Sequence, residues 1–237
     1  MPDFDLAIFD FDGTLADSRQ GIFDAMRQTL RELGLPPLTE DATWVIGPSI
    51  YDIYAKALAT DDPRVIHRGI AAFRRHYART GPGQTPPFPG ALDMIAGLRA
   101  RGKRLAICSL KAADFIQDIL QRWGIPNAFE SIVATSLDPA TTQHTKEMLI
   151  ERVLAAAFPS GASAPEDALR ARAQRAVMIG DTASDILAAR YWGMRSVAAL
   201  YGYGDKAQIA AAGPGWSCHS VAELACLLNS DGAAAAC

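Results

Sequence analysis

The second half of the sequence alternates short apolar runs with segments of helical periodicity, and this alternation constrains the fold more than any other feature. The apolar runs cover residues 105–108, 132–134, 176–179 and 196–199. Each run has the length of a buried strand, and each is separated from the next by a segment whose apolar residues recur every three or four positions. Strands joined by helices run parallel, because the helix carries the chain back to the end of the sheet at which the previous strand began. The pattern predicts an α/β fold with a doubly wound parallel sheet.

A first apolar run at 6–9 is followed by three helical segments with no strand among them. Prolines and glycines are concentrated at 81–90, where the chain returns to the alternating pattern. We therefore expect a small α-helical cap inserted into the core, with Asp17 and Ser18 capping its first helix. The predicted units are a core of residues 1–15 and 87–228, a cap of residues 16–86 and a disordered tail of residues 229–237.

Composition excludes several classes of protein. The 237 residues are 49% hydrophobic and 21% charged, so the chain is not disordered as a whole, and its net charge of −3 gives no general basic surface for nucleic acid or anionic lipid. The first residues show no basic segment followed by an apolar stretch, and no membrane span is apparent. The four cysteines lack the spacing of a zinc site. We expect a cytoplasmic protein.

The ends of the apolar runs carry the chemistry. In an open parallel sheet the site lies outside the carboxyl ends of the strands, so residues that follow different runs should meet. These residues are Asp10, Asp12, Ser109, Leu110, Lys146, Asp181 and Asp185. Carboxylates brought together repel each other unless a cation intervenes, and an all-oxygen set suits Mg²⁺. A serine hydroxyl, free backbone amides and a lysine then favour a bound phosphoryl group. The constellation predicts phosphoryl transfer.

The sequence DFDGTLADS at 10–18 and GDTASDI at 180–186, with a serine and a lysine between them, resembles the haloacid dehalogenase superfamily. The resemblance covers essentially the whole chain and is strongest to the phosphoglycolate phosphatase-like branch. It implies that Asp10 is a nucleophile that forms an aspartyl-phosphate. It also implies that Asp12 acts as general acid and then as general base.

The same resemblance implies the remaining roles. Mg²⁺ would be held by the Asp10 carboxylate, the Asp12 backbone carbonyl and Asp181. The phosphoryl oxygens would be bound by Ser109, the amide of Leu110 and Lys146. Asp185 would hold these groups in position without contacting the substrate itself. The sequence departs from the pattern at one position, since relatives usually have Thr-Asn or Ser-Asn where this chain has Ser109-Leu110.

We interpret the chain as a Mg²⁺-dependent phosphatase of a small phosphorylated metabolite, with phosphoglycolate as the first substrate to test. It would act as a monomer or a homodimer. A sugar phosphomutase of the same superfamily and a non-catalytic phosphate-binding regulatory protein remain alternatives. The loop before the second cap helix places Gly47 and Ser49 as candidate specificity residues, and Arg74 is predicted to lie on a solvated helix face.

Overall fold

The computed structural model describes residues 3–39, 42, 45–157 and 165–229. Within these residues the chain forms a parallel sheet of six strands in the order β3-β2-β1-β4-β5-β6. The strands are β1 (Leu6–Phe9), β2 (Arg104–Ala112), β3 (Ser131–Thr135), β4 (Ala176–Gly180), β5 (Arg195–Ala199) and β6 (Trp216–Cys218). The first strand is therefore central, and the prediction of a doubly wound α/β fold with a helical insertion is confirmed.

Helices cover both faces of the sheet, as the alternating pattern requires. The helices are α1 (Arg19–Glu32), α2 (Ile50–Ala57), α3 (Pro63–Thr80), α4 (Ala91–Ala100), α5 (Ala113–Arg122), α6 (Lys146–Ala157), α7 (Glu166–Ala173), α8 (Ala183–Tyr191), α9 (Lys206–Ala212) and α10 (Val221–Asn229). Side chains of β1 alternate between two cores: Ala7 and Phe9 pack with α4, α5 and α10, whereas Leu6 and Ile8 pack with α6, α7 and α8. This alternation is the two-residue period of a strand buried on both faces.

The three inserted helices have a hydrophobic core of their own, which includes Met26, Ile53, Tyr54 and Phe73. The two connections to the sheet lie side by side, since the Asp17 amide donates to Pro86 and the Phe88 amide donates to Leu15. The cap boundaries at 15/16 and 86/87 stay a prediction.

The structure corrects three details of the sequence analysis. Ser18 occupies the N-cap position of α1, but its side chain makes no capping hydrogen bond. The prediction that its side chain caps this helix is therefore wrong. The segments β6, α9 and α10 are not predicted individually from the sequence; β6 has three residues and α9 seven, which is too short for a clear period. Asn229 belongs to α10 rather than to a tail, and residues 230–237 lie outside the described residues. In the described part of the chain, no helix combines the length and the apolar character that a membrane crossing requires.

Candidate active site

Asp10 lies directly after β1, where its amide donates a 2.8 Å hydrogen bond to the Ile179 carbonyl and continues the ladder to β4. Lys146, at the start of α6, donates to Oδ1 of Asp10 at 2.7 Å. The same ammonium donates to the Cys108 carbonyl at 3.0 Å and lies 2.8 Å from Oδ1 of Asp185. All three side chains are buried. The lysine thus ties the ends of β1 and β2 and the start of α8 together, as the sequence analysis expected of this sheet edge.

Asp181 follows β4 and is held by two donors. The Thr14 hydroxyl donates to Oδ1 at 3.2 Å, and the Tyr203 amide donates to Oδ2 at 2.8 Å. Gly13 has a positive φ of 80°, and a methyl group on it would overlap the Asp181 carboxylate. Only glycine therefore allows the turn after β1 to approach this carboxylate so closely.

The carboxylates of Asp10, Asp181 and Asp185 form a buried cluster, with one oxygen from each lying within 4.8 Å of the others. Burial raises the pKa of Asp10 to about 6, although the nearby Lys146 ammonium opposes the rise. Burial and repulsion from Asp10 raise the pKa of Asp181 well above its ordinary value. Carboxylates whose pKa values are raised in this way lack sufficient positive charge nearby. A hard divalent cation bound by their oxygen atoms would supply that charge.

Asp185 takes a supporting position within this cluster. It is fully buried in the first turn of α8, and its Oδ2 accepts hydrogen bonds from the Thr182 amide at 3.1 Å and the Thr182 hydroxyl at 2.7 Å. Its Oδ1 faces the Lys146 ammonium. Both oxygens are thus engaged by groups that fix the loop after β4.

Asp12 faces a cation that the sequence analysis did not assign to the site. The Lys111 ammonium lies 3.0 and 3.2 Å from the two carboxylate oxygens of Asp12. It also lies 4.4 Å from the centre of the Tyr77 ring, which belongs to α3 of the cap. Burial lowers the pKa of Lys111, but Asp12 and Tyr77 together raise this pKa by more, so the lysine is charged. Lys111 follows Ser109 and Leu110 near the carboxyl end of a strand, so the rule that assigned those two residues to the site could have included it.

Ser109 and Leu110 lie near the end of β2 and line the same cavity as Asp10. The Ser109 hydroxyl accepts a 3.3 Å hydrogen bond from the Lys111 amide, and the Leu110 carbonyl accepts one of 2.9 Å from Thr135. The Leu110 side chain packs against the core formed with α6 to α8. The structure thus brings both residues to the site that the strand ends predict.

A cavity of about 110 Å³ separates this cluster from the cap. Gly47 lines it and has a positive φ of 108°, a backbone conformation that residues other than glycine rarely adopt. Ser49 does not line this cavity; its hydroxyl caps α2 by accepting from the Asp52 amide at 3.1 Å. A role for either residue in substrate choice stays a prediction.

Two further residues connect the site to the cap and were missed. Tyr203, in the loop after β5, donates from its hydroxyl to Asp17 at 2.6 Å while its amide binds Asp181. It lies at the end of another strand, so the rule that located the other residues could have included it. Arg74 is not solvated as predicted: its guanidinium crosses from α3 to the carbonyls of Ser136 and Leu137. Nothing in the periodicity of α3 indicates this contact.

Residues 7–199 match the family described as haloacid dehalogenase-like hydrolase. Tyrosine-protein kinase PtkA from Mycobacterium tuberculosis is 32% identical over 200 residues, which are 84% of this chain and 63% of PtkA. The chain thus spans less than two thirds of that relative's length. Phosphoglycolate phosphatase from Rhodospirillum rubrum is 30% identical over 83% of this chain and 79% of its own. A haloacid dehalogenase-like hydrolase structure from Streptococcus pneumoniae has a TM-score of 0.77 at 26% identity and covers 95% of this chain and 99% of its own.

Proposed function

The chain belongs to the haloacid dehalogenase-like hydrolase family, in its phosphoglycolate phosphatase-like branch, and on this premise we propose that it is a Mg²⁺-dependent phosphatase of a small phosphomonoester. The observation that carries the proposal is the meeting of Asp10, Asp12 and Lys146 at one sheet edge beneath a helical cap. Phosphoglycolate is the first substrate to test, because the R. rubrum relative is named phosphoglycolate phosphatase. A cytoplasmic location and a small phosphorylated metabolite as partner belong to the same proposal.

Asp10 would act as the nucleophile. Lys146 binds Oδ1 of Asp10, and Oδ2 has no hydrogen-bond donor among the described residues. In the first step a carboxylate oxygen of Asp10 forms a bond to phosphorus as the bond to the alcohol oxygen breaks, and Asp12 gives that oxygen a proton. In the second step Asp12 takes a proton from water, whose oxygen attacks the aspartyl-phosphate and releases inorganic phosphate.

The other groups of the site would hold the phosphoryl group and neutralise its charge. Ser109, the Leu110 amide and Lys146 would bind the phosphoryl oxygens. Asp10, the Asp12 backbone carbonyl and Asp181 would hold Mg²⁺, and Asp185 would keep Lys146 and the loop after β4 in place. When bound, Mg²⁺ supplies positive charge that offsets the repulsion between carboxylates and phosphate.

The direct test is phosphate release from a panel of phosphomonoesters, measured with Mg²⁺ and with EDTA. We expect turnover that depends on Mg²⁺ and continues without any bisphosphate. A sugar phosphomutase would instead return the phosphoryl group to a sugar phosphate, and a regulatory protein would bind phosphate without turnover. Because one relative is named a tyrosine kinase, the assay includes ATP with a tyrosine peptide; phosphopeptide formation without ester hydrolysis would contradict the proposal.

Mg²⁺ should stabilise the protein more at pH 7.5 than at pH 5. Because the pKa of Asp10 is raised from 3.8 to about 6, the folded chain keeps a proton that the unfolded chain releases. The metal-free protein therefore loses stability from this group as the pH rises from about 4 to 6. At higher pH Mg²⁺ no longer competes with that proton. At about one hundred times its Kd it should add about 2.7 kcal/mol, or roughly 5–10 °C in Tm.

The measurement is a thermal melt with and without Mg²⁺ at the two pH values. Asp181→Asn is the matched variant, since it removes a charge from the cluster without a change of shape. Its Mg²⁺-dependent increase in Tm should be smaller at pH 7.5. An equal Mg²⁺ effect at both pH values would argue against a metal at these carboxylates.

Asp12→Asn should slow the release of alkyl alcohols more than the release of p-nitrophenol. An alkoxide needs a proton as it leaves, whereas nitrophenolate leaves without much help. General acid catalysis contributes about 10²–10⁴-fold, so we expect at least about a 100-fold loss for an alkyl ester and less than about 10-fold for the nitrophenyl ester. The aspartyl-phosphate formation step should be measured by rapid quench, since hydrolysis of the intermediate depends on Asp12 for both esters. Equal losses would contradict a general acid at Asp12.

A further inference from the structure

The cavity between the sheet edge and the cap extends into the hydrophobic core of the cap. Ten of its lining residues belong to that core or pack against it, among them Met26, Val45, Ile46, Ile50, Ile53 and Phe73. The apolar centre of the inserted helices is therefore incompletely filled on the side that faces Asp10. A cavity with mostly apolar walls next to a few polar groups is the usual form of a small-molecule site.

The charged groups on the wall are already engaged by the protein itself. Arg74 donates to the carbonyls of Leu137 and Ser136 at 2.5 and 2.9 Å. Lys111 is paired with the Asp12 carboxylate. A carboxylate on the leaving group of a substrate would therefore share Arg74 or Lys111 with these partners rather than meet a free cation.

The hydroxyl groups of the cap wall are engaged as well. Tyr54 donates to the Met26 sulfur at 3.3 Å, and the Tyr77 and Thr85 hydroxyls lie 3.2 Å apart. A sugar or another polyhydroxylated group would therefore find few free partners on this wall. Buried polar groups that lose their partners cost free energy, so such a substrate is disfavoured.

The core side of the cavity adds another apolar side chain. Leu110 lines it next to Ser109, at the one position where the sequence departs from the motif pattern it resembles. An amide there would offer a polar substrate a donor and an acceptor, whereas leucine offers neither. The apolar wall thus continues from the cap to the immediate neighbour of the phosphoryl site.

We propose that the substrate is a phosphomonoester with an apolar leaving group, a short branched alkyl chain, rather than a carboxylate or a sugar. This inference rests on the proposed function and names its substrate class. An apolar cavity of about 150 Å³ holds one benzene molecule, so the 110 Å³ found here suits a smaller group of about four or five carbon atoms. Glycolate is smaller than such a group and carries a charge.

The first experiment compares kcat/KM for 3-methylbutyl phosphate, 2-methylpropyl phosphate, phosphoglycolate and glycerol phosphate at saturating Mg²⁺. We expect the better apolar ester to exceed both polar esters by at least about 10-fold. A kcat/KM for phosphoglycolate or glycerol phosphate that equals or exceeds those of the apolar esters overturns the inference while leaving the phosphatase intact.

The second experiment fills the cavity from the cap side. Ile50 is half-buried and lines the cavity, so Ile50→Phe should lower kcat/KM for the preferred apolar ester by at least about 10-fold and that for phosphoglycolate by less than about 3-fold. Leu58→Phe is the control, because Leu58 packs against the same cap core at the other end of α2 without lining the cavity. Should Ile50→Phe fold poorly, Ile46→Phe makes the same test from the preceding loop. Equal losses for both esters contradict the inference.

A binding measurement separates this inference from the proposed function. 3-Methylbutanol, the free leaving group, is titrated into the wild-type protein and into Ile50→Phe while the NMR signals of the cap are followed. Saturable binding that weakens at least about 5-fold in the variant supports an apolar site even if no ester is hydrolysed. Absence of binding together with a preference for polar esters overturns it.

Discussion

Asp10→Asn should reduce kcat by at least about 10⁴-fold on every phosphomonoester that the wild-type protein hydrolyses. An amide is a poor nucleophile, and the substitution also removes one charge from the carboxylate cluster. Single replacements of nucleophiles in hydrolases cost up to about 10⁶-fold, which sets the scale. Steady-state turnover by the purified variant is the measurement, with intact mass used to exclude deamidation back to aspartate.

The fold should survive this change. Asparagine has the volume of aspartate, and the charge that it removes lies among two other buried carboxylates. We therefore expect the metal-free variant to melt no lower than the wild-type protein at pH 7.5. Asp5→Asn is the control, because Asp5 precedes β1 at the opposite end of the strand and should leave kcat unchanged. Turnover by Asp10→Asn within about 10-fold of the wild-type value would contradict a nucleophile at this position.

Lys146→Met should be the most destabilising of these substitutions as well as an inactivating one. The buried ammonium bridges Asp10 and Asp185, and its loss leaves two buried carboxylates without their cation. Breaking a buried ion pair in this way costs about 3–5 kcal/mol. Denaturant unfolding of the metal-free protein at pH 7.5 measures the loss, and Lys206→Met, on the exposed start of α9, should change stability by less than about 0.5 kcal/mol.

A double variant separates charge from shape in this prediction. In Lys146→Met with Asp185→Asn, one of the uncompensated carboxylates is neutral, so at least about 1 kcal/mol of the lost stability should return. Activity should not return, because the phosphoryl group still lacks the ammonium. A double variant no more stable than Lys146→Met alone would show that the lysine stabilises the fold by packing rather than by charge.

The residues of the site that could be predicted are those whose position follows from strand ends alone. Asp10, Ser109 and Asp181 each end an apolar run, and parallel strands bring such ends to one edge. The partners that cross between elements could not be predicted. Arg74 reads as a solvated residue because its carbonyl partners lie in the loop after β3, which no local pattern connects with α3.

The same limit applies to the fold. The long helices have a clear period, so their existence was predictable, whereas β6 has only three residues and no pattern that distinguishes it from a loop. Ser18 shows the opposite error. Its type and position favour a helix cap, yet its hydroxyl makes no hydrogen bond to any described residue. The Arg19 amide at the start of α1 donates to the Tyr203 hydroxyl instead, so a tertiary contact replaces the local one.

The central place of β1 in the sheet bears on how the chain is made. Leu6 pairs with Arg104 on one side and with Ala176 on the other, and every side chain of β1 is buried. During synthesis β1 leaves the ribosome before the other five strands of this sheet, and so before either of its neighbours. Its apolar side chains and unpaired backbone groups are then exposed, a state that favours aggregation. The inserted helices α1 to α3 emerge next and depend mainly on local contacts, which form faster than long-range strand pairing. Association with chaperones on the ribosome should therefore last until residues 176–180 have left the ribosome.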